Sequence, residues 1–206
     1  MRKCTYKMTD EHNAIVNAQL KQYFPIWMEF HESHLTLIRQ QLPYWTEVSK
    51  EQEKLCNKGR KLCIVFDLDE VIISPLYRTF HGSFDISKYF DISDNTLCPS
   101  YPGSKEILQK CRDLGLIIFF VTARSEFLRN HTIKNLTKLN LKPNYLIMRG
   151  VQYMNIPISM WKTSIRKIIN EEFRIIANIG DQVSDLGDYT DINYLIPHHF
   201  YKTALM

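Results

Sequence analysis

Residues 61–74 read Lys-Leu-Cys-Ile-Val-Phe-Asp-Leu-Asp-Glu-Val-Ile-Ile-Ser, and this stretch decides the fold. The run Leu62 to Phe66 is apolar without polar alternation, the pattern of a strand covered on both faces in a parallel sheet. It stops abruptly at Asp67-Leu68-Asp69. Side chains alternate along an extended chain, so Asp67 and Asp69 project to the same side and share one mouth. Like charges so close repel, and the arrangement persists only with a cation between them or a proton on one. Magnesium suits such a site, because it takes one or two carboxylates together with waters and phosphate oxygens. Taken alone, the pair also fits a polar loop that caps a helix.

Working outward from Lys61, short apolar runs alternate with amphipathic segments of helical length, an α/β rhythm. Strands are expected at Leu62 to Phe66, Leu116 to Thr122, Tyr145 to Met148, Arg174 to Ile179 and Ile192 to Ile196. Helices fit at about Ser104 to Leu114, Ser125 to Leu139 and Met160 to Glu172, with Gly115 placed to end the first. Right-handed crossovers then give a doubly wound, five-stranded, Rossmann-like parallel sheet with helices on both faces, whose ligands bind beyond the carboxyl ends of the strands.

The residues at those ends are chemically pointed. Phe119 to Thr122 ends in a hydroxyl, with Arg124 two residues on, and a threonine hydroxyl with the free N–H groups of a following helix can hold a phosphoryl oxygen. Lys162 starts a helix after the third strand; alone, such a lysine is an ordinary surface charge. After the fourth strand comes Gly180-Asp181-Gln182-Val183-Ser184-Asp185, where glycine permits a sharp turn and two acids follow. Each signal is weak alone, and their order after successive strands makes the case.

These residues resemble the haloacid dehalogenase (HAD) superfamily of magnesium-dependent phosphatases. Asp67 and Asp69 match its first motif, Thr122 its second, Lys162 its third and Gly180 to Asp185 its fourth. The runs VFDLDEVIIS (65–74), FFVTAR (119–124), TIKNL (132–136) and IANIGDQVSDLGD (176–188) look like class B acid phosphatases and plant vegetative storage proteins. The resemblance covers about Leu62 to Pro197. It implies that Asp67 is a nucleophile forming an aspartyl phosphate and Asp69 a general acid and base. It also implies a Mg2+ ion on Asp67, the Asp69 carbonyl and Asp181, with Asp185 ordering a water or Lys162. Lys162 and Thr122 would hold the phosphoryl oxygens, and Arg124 would contact substrate.

Composition bounds the rest. A chain of 206 residues, 45% hydrophobic and 23% charged, reads as globular and buries roughly 70% of its unfolded surface. No apolar run reaches the roughly 20 residues of a membrane span, so no membrane insertion is expected. A net charge of +4 is too small and scattered to mark a nucleic-acid binder. Cys4, Cys56, Cys63, Cys98 and Cys111 form no C-x-x-C pair, and with no secretory signal at Met1 to Cys4 the expectation is reduced thiols and a cytoplasmic location.

Residues 1–60 are expected to be a helical extension packed on a core at 61–206, with two or three short helices broken at Pro25 and Pro43. Val16, Leu20, Phe24, Trp45, Val48 and Leu55 are its expected buried stripe. The insert from Ile72 to Lys105 is too short for a large cap domain, so the site is expected to be open. The partner is then a phosphorylated substrate, a small aryl phosphate or a phosphotyrosine protein, with Tyr77, Phe80, His81 and Tyr153 available for an aromatic rim. The rival readings are a nucleotide or nucleic-acid end phosphatase, and a non-catalytic binding or storage protein on the same fold.

Overall fold

The computed structural model describes residues 10–75 and 98–197, with side chains from residue 25 onward. The elements run α1 (Asp10–Cys56), β1 (Lys61–Phe66), α2 (Ser104–Asp113), β2 (Ile117–Ser125), α3 (Arg129–Lys138), β3 (Tyr145–Arg149), α4 (Ile158–Glu172), β4 (Phe173–Gly180) and β5 (Asn193–Leu195). The strands pair in parallel in the order β3-β2-β1-β4-β5. The chain therefore winds out from β1 through β2 to β3, then returns to the other side of β1 as β4. The reversal lies between β1 and β4, and a ligand crevice opens there.

All five expected strands form where the apolar runs lie; the central β1, β2 and β4 are buried through most of their length, whereas the edge strands β3 and β5 are partly exposed. β2 runs on past Thr122 to Ser125, and the helix expected from Ser125 begins as a 3-10 turn at Glu126–Leu128 before α3. The core is split by the sheet. On one face Ile64, Phe66, Ile118 and Phe120 pack with α1 and α2; on the other Cys63, Val65, Phe119 and Val121 pack with Trp161 and Ile169 of α4.

β4 carries a bulge. Cys63 pairs with Ile175 but Ile64 with Ala177, so Ile176 is an extra residue. Its effect is visible in the packing: Ile175 joins the α4 face, whereas Ile176 and Ala177, adjacent in sequence, both join the α1 face.

The N-terminal region corrects the expectation. α1 is one helix that contains both Pro25 and Pro43. Each proline removes one bond, to the carbonyls of Lys21 and Arg39, at about 3 kcal/mol. Burying a large apolar side chain is worth about 1.5–3 kcal/mol, and Trp27, Leu35, Ile38, Leu42 and Trp45 are all buried on one continuous face. That face wins, and it runs through Pro43 without a change of phase. Dividing the segment at the prolines mistook that phase: Trp45 is buried, but Val48 is 37% and Leu55 86% exposed. Val16, Leu20 and Phe24 have side chains outside those described.

A buried polar cluster ties α1 to the loop that follows β1. The Tyr101 hydroxyl donates to the Glu70 carboxylate and accepts from Trp27 Nε1 at 3.2 Å. His31 stacks on Tyr101 with ring centroids 3.6 Å apart, and its Nε2 lies 3.1 Å from the Glu70 carbonyl. Glu70 itself sits at φ 59°, the left-handed bend that turns the chain away from Asp69. Tyr101→Phe removes a donor from a fully buried carboxylate at nearly constant volume, and is expected to cost about 1–3 kcal/mol. Urea unfolding of the two proteins measures this, and identical midpoints would show that the hydroxyl does not support Glu70.

Candidate active site

β1 delivers Asp67 and β4 delivers Asp181 to the crevice. The Asp67 amide continues the sheet by donating to the Ile179 carbonyl at 2.8 Å, which sets Asp67 beside Gly180. Lys162, in the first turns of α4 and only 3% exposed, bridges Asp67 to Asp185. Its ammonium donates to Asp67 Oδ1 at 2.5 Å and to Asp185 Oδ1 at 2.6 Å. The other Asp185 oxygen accepts from the amides of Asp181 at 3.1 Å and Gln182 at 2.9 Å. Both Asp185 oxygens are thus engaged within the chain, and their work is to hold Lys162 and close the turn.

That turn needs glycine for reasons of space. A Cβ at Gly180 would stand 2.2 Å from Asp185 Cβ, so no side chain fits. Arg166, one turn beyond Lys162, is buried and donates to the Asp185 carbonyl at 2.6 Å and the Leu186 carbonyl at 3.1 Å. Asn178 Nδ2 donates to the same Asp185 carbonyl at 2.6 Å. Arg166 and Asn178 belong to none of the motifs; the one local signal for either is that Arg166, four residues after Lys162, shares its helix face.

The charge balance is unequal. Asp67, Asp181 and Asp185 are all buried and offer ligand oxygens within 4.8 Å of one another, against the single Lys162 ammonium. Burial and then the neighbouring carboxylates, opposed by Lys162, push the Asp67 carboxyl up to about 7. Burial, Asp67 and Asp185 push Asp181 up to about 9. Burial alone would lower Lys162, but Asp185 and Asp67 outweigh it and hold the ammonium well above its usual range. Asp67 Oδ2 and Asp181 Oδ1 accept no hydrogen bond from a described residue. A cluster of three buried carboxylates short of positive charge, with oxygens left unengaged, fits a hard divalent cation.

Asp69 lies on the other side of Asp67. Arg124 forks it, with Nε 2.8 Å from Oδ2 and Nη2 2.6 Å from Oδ1, while Nη1 donates to Thr132 Oγ1 at 3.2 Å. Burial would lower the Arg124 guanidinium, but Asp69, with Cys98 beside it, holds it above its ordinary value. Thr122 is buried at the same strand end and its Oγ1 accepts from the Arg124 amide at 3.2 Å. All seven residues singled out in the sequence thus stand at one end of the sheet, in two groups: Asp67, Asp181, Asp185 and Lys162 at the switch point, and Asp69, Arg124 and Thr122 towards β2. Tyr77, Phe80 and His81 lie outside the described residues. Tyr153 is 40% exposed on the turn after β3, next to the exposed Val151 and Met154.

A family profile described as HAD superfamily, subfamily IIIB (Acid phosphatase) matches residues 3–203, and the chain belongs to that family. It is 32% identical over 139 residues to "Acid phosphatase 1" of Solanum lycopersicum, covering 64% of this chain and 54% of that protein. It is 28% identical over 141 residues to "Vegetative storage protein 2" of Arabidopsis thaliana, covering 61% and 50%. The chain thus spans about half the length of the curated relatives it matches. The fold is similar to that of the class C acid phosphatase from Bacillus anthracis, with a TM-score of 0.66 and 14% identity over 91% of this chain and 84% of that one.

A stability test follows from the charge imbalance. Unfolded, Asp67 and Asp181 return to their ordinary value of 3.8, so between about that pH and about 9 the folded chain holds protons that the unfolded chain has released. The contribution of these groups therefore falls as pH rises through the window, and a cation that replaces the protons restores it. Magnesium is expected to raise Tm more at about pH 8 than at about pH 5. Equal shifts at the two pH values, read by scanning fluorimetry, would remove the carboxylate pair as its site.

Proposed function

We propose that this chain is a Mg2+-dependent phosphomonoester hydrolase that works through an aspartyl phosphate on Asp67, at an open site suited to aryl phosphates, protein phosphotyrosine among them. The observation that carries the reading is Lys162 on Asp67: it engages Oδ1 and leaves Oδ2 for attack. A bound magnesium ion would be held by Asp67 and Asp181 and would supply positive charge against the phosphoryl oxygens.

The chain's own residues account for the remaining steps. Asp67 Oδ2 bonds to phosphorus as the ester oxygen leaves, and Asp69 supplies that oxygen with a proton. Water then attacks phosphorus, gives its proton to Asp69, and the bond to Asp67 breaks to release phosphate. Lys162 and Thr122 orient the phosphoryl group throughout. Both Asp69 oxygens face Arg124, so delivering a proton requires giving up part of that fork. A phenolic leaving group, stable as an anion, relaxes this demand, and the apolar turn after β3 suits an aryl ring.

Asp67→Asn keeps the volume and removes the nucleophile, and is expected to lower turnover at least about a thousandfold while leaving the fold intact by circular dichroism. Excess chelator should do the same to the wild type. Phosphotyrosine peptides are expected to react faster than matched phosphoserine and phosphothreonine peptides, measured as kcat/KM. Nucleotides turned over with all peptides inert would move the assignment to the nucleotide reading.

Asp69→Asn separates the two acids. Phosphorylation by a nitrophenyl ester is expected to suffer at least about tenfold less than that by an alkyl ester. Single-turnover kinetics with equal losses would take Asp69 out of the general-acid role.

A further inference from the structure

The turn between β3 and α4 is built more firmly than a connection requires. Arg149, the last residue of β3, is 7% exposed and spends its guanidinium on backbone carbonyls. Its Nη2 donates to Tyr153 O at 2.8 Å, to Met154 O at 3.2 Å and to Ile156 O, and its Nε to Tyr153 O at 3.2 Å. The turn also closes on itself, with Tyr153 N on Gly150 O at 3.0 Å and Ile156 N on Tyr153 O at 3.0 Å. Gly150 admits the Gln152 side chain, whose Oε1 would be 2.6 Å from a Cβ there.

What this scaffold holds outward is apolar: Val151 is 53%, Tyr153 40%, Met154 44% and Ile156 37% exposed. An exposed apolar set on a rigid turn is unusual, since a turn under no constraint but solubility carries polar residues. The position is informative as well. β3 is the second strand from β1, about 10 Å away at the sheet spacing, and the turn leads straight into α4, whose Lys162 touches Asp67. Phe127, in the 3-10 turn after β2, is 80% exposed as well.

We infer that the Arg149-braced turn, residues 150–156, is the platform for the leaving group, with Tyr153 and Met154 as contacts for an aromatic or otherwise apolar alcohol and Arg149 as the positioning residue. The inference rests on the phosphatase reading above and adds which residues select the ester. A preformed apolar surface binds without an ordering cost, so it discriminates through KM for apolar esters more than through the chemical step.

The test compares phenyl phosphate with glycerol 3-phosphate for the wild type, Tyr153→Ala, Arg149→Met and Arg149→Lys. Tyr153→Ala and Arg149→Met are expected to lower the phenyl-to-glycerol ratio of kcat/KM at least about fivefold, chiefly through KM for phenyl phosphate, with Arg149→Lys retaining most of it. Ile168→Ala, exposed elsewhere on α4, serves as the control that leaves the ratio unchanged. A ratio unmoved by Tyr153→Ala overturns the platform. If Arg149→Met lowers kcat for both esters by the same factor, the arginine serves only to seat α4, and the positioning role is overturned. Should Arg149→Met fail to fold, Tyr153→Ala decides alone. A wild type that hydrolyses neither ester removes the aryl-phosphatase reading and this inference with it, whereas hydrolysis of both with no response to the variants removes this inference alone.

Discussion

The bond from Lys162 to Asp67 and Asp185 is the constraint around which the rest of the structure is arranged. An ammonium taken out of water costs several kcal/mol unless it is paired at close range, and here both partners lie within 2.6 Å. Meeting that requirement brings two strand ends and the start of a helix together. α4 must start where it does, β4 must end in a glycine so that Asp185 can fold back, and Arg166 and Asn178 must take the carbonyl that the tight turn would otherwise strand. Even so, one cation among three buried carboxylates leaves the site electrically incomplete. A fold selected for stability alone would place apolar groups here, and perturbed carboxyls in a crevice mark a site of chemistry.

The same sheet end carries two environments side by side. At the switch point the side chains are charged and engaged, while the edge nearer β3 presents exposed Tyr153, Val151 and Met154. Arg124 stands on the way between them, holding Asp69 with one side of its guanidinium and Thr132 of α3 with the other. Under the proposed function, an ester spanning the two regions would meet charge at its phosphoryl end and hydrocarbon at its alcohol end, the polarity of an aryl phosphate.

Much of this was legible in the residue order. Buried parallel strands advertise themselves as unbroken apolar runs, so Asp67, Thr122 and Asp181, at or just past their carboxyl ends, follow from topology, and Lys162 from the helix that follows β3. α1 was misread because a proline is a local signal and a long apolar face is not; the phase through Leu35, Ile38, Leu42 and Trp45 emerges only when the helix is taken as continuous. Arg149 and Arg166 were missed for another reason. Both are buried arginines whose partners are backbone carbonyls, and carbonyls have no identity in a sequence.

The bulge at Ile176 reaches further than the pairing it disturbs. Side chains on a strand alternate with strict parity, and one extra residue inverts that parity from there to the strand's end. Below the bulge, odd-numbered Ile175 faces α4; above it, even-numbered Asn178 reaches Asp185, and Gly180 leaves the space that Asp185 fills. A regular β4 would aim those two positions at the α1 side instead, with Asn178 among hydrocarbon and a gap where none is needed. The irregularity thus acts as a commutator within a single strand, keeping Ala177 and Ile179 in the hydrophobic core while turning Asn178 and Gly180 towards the candidate site.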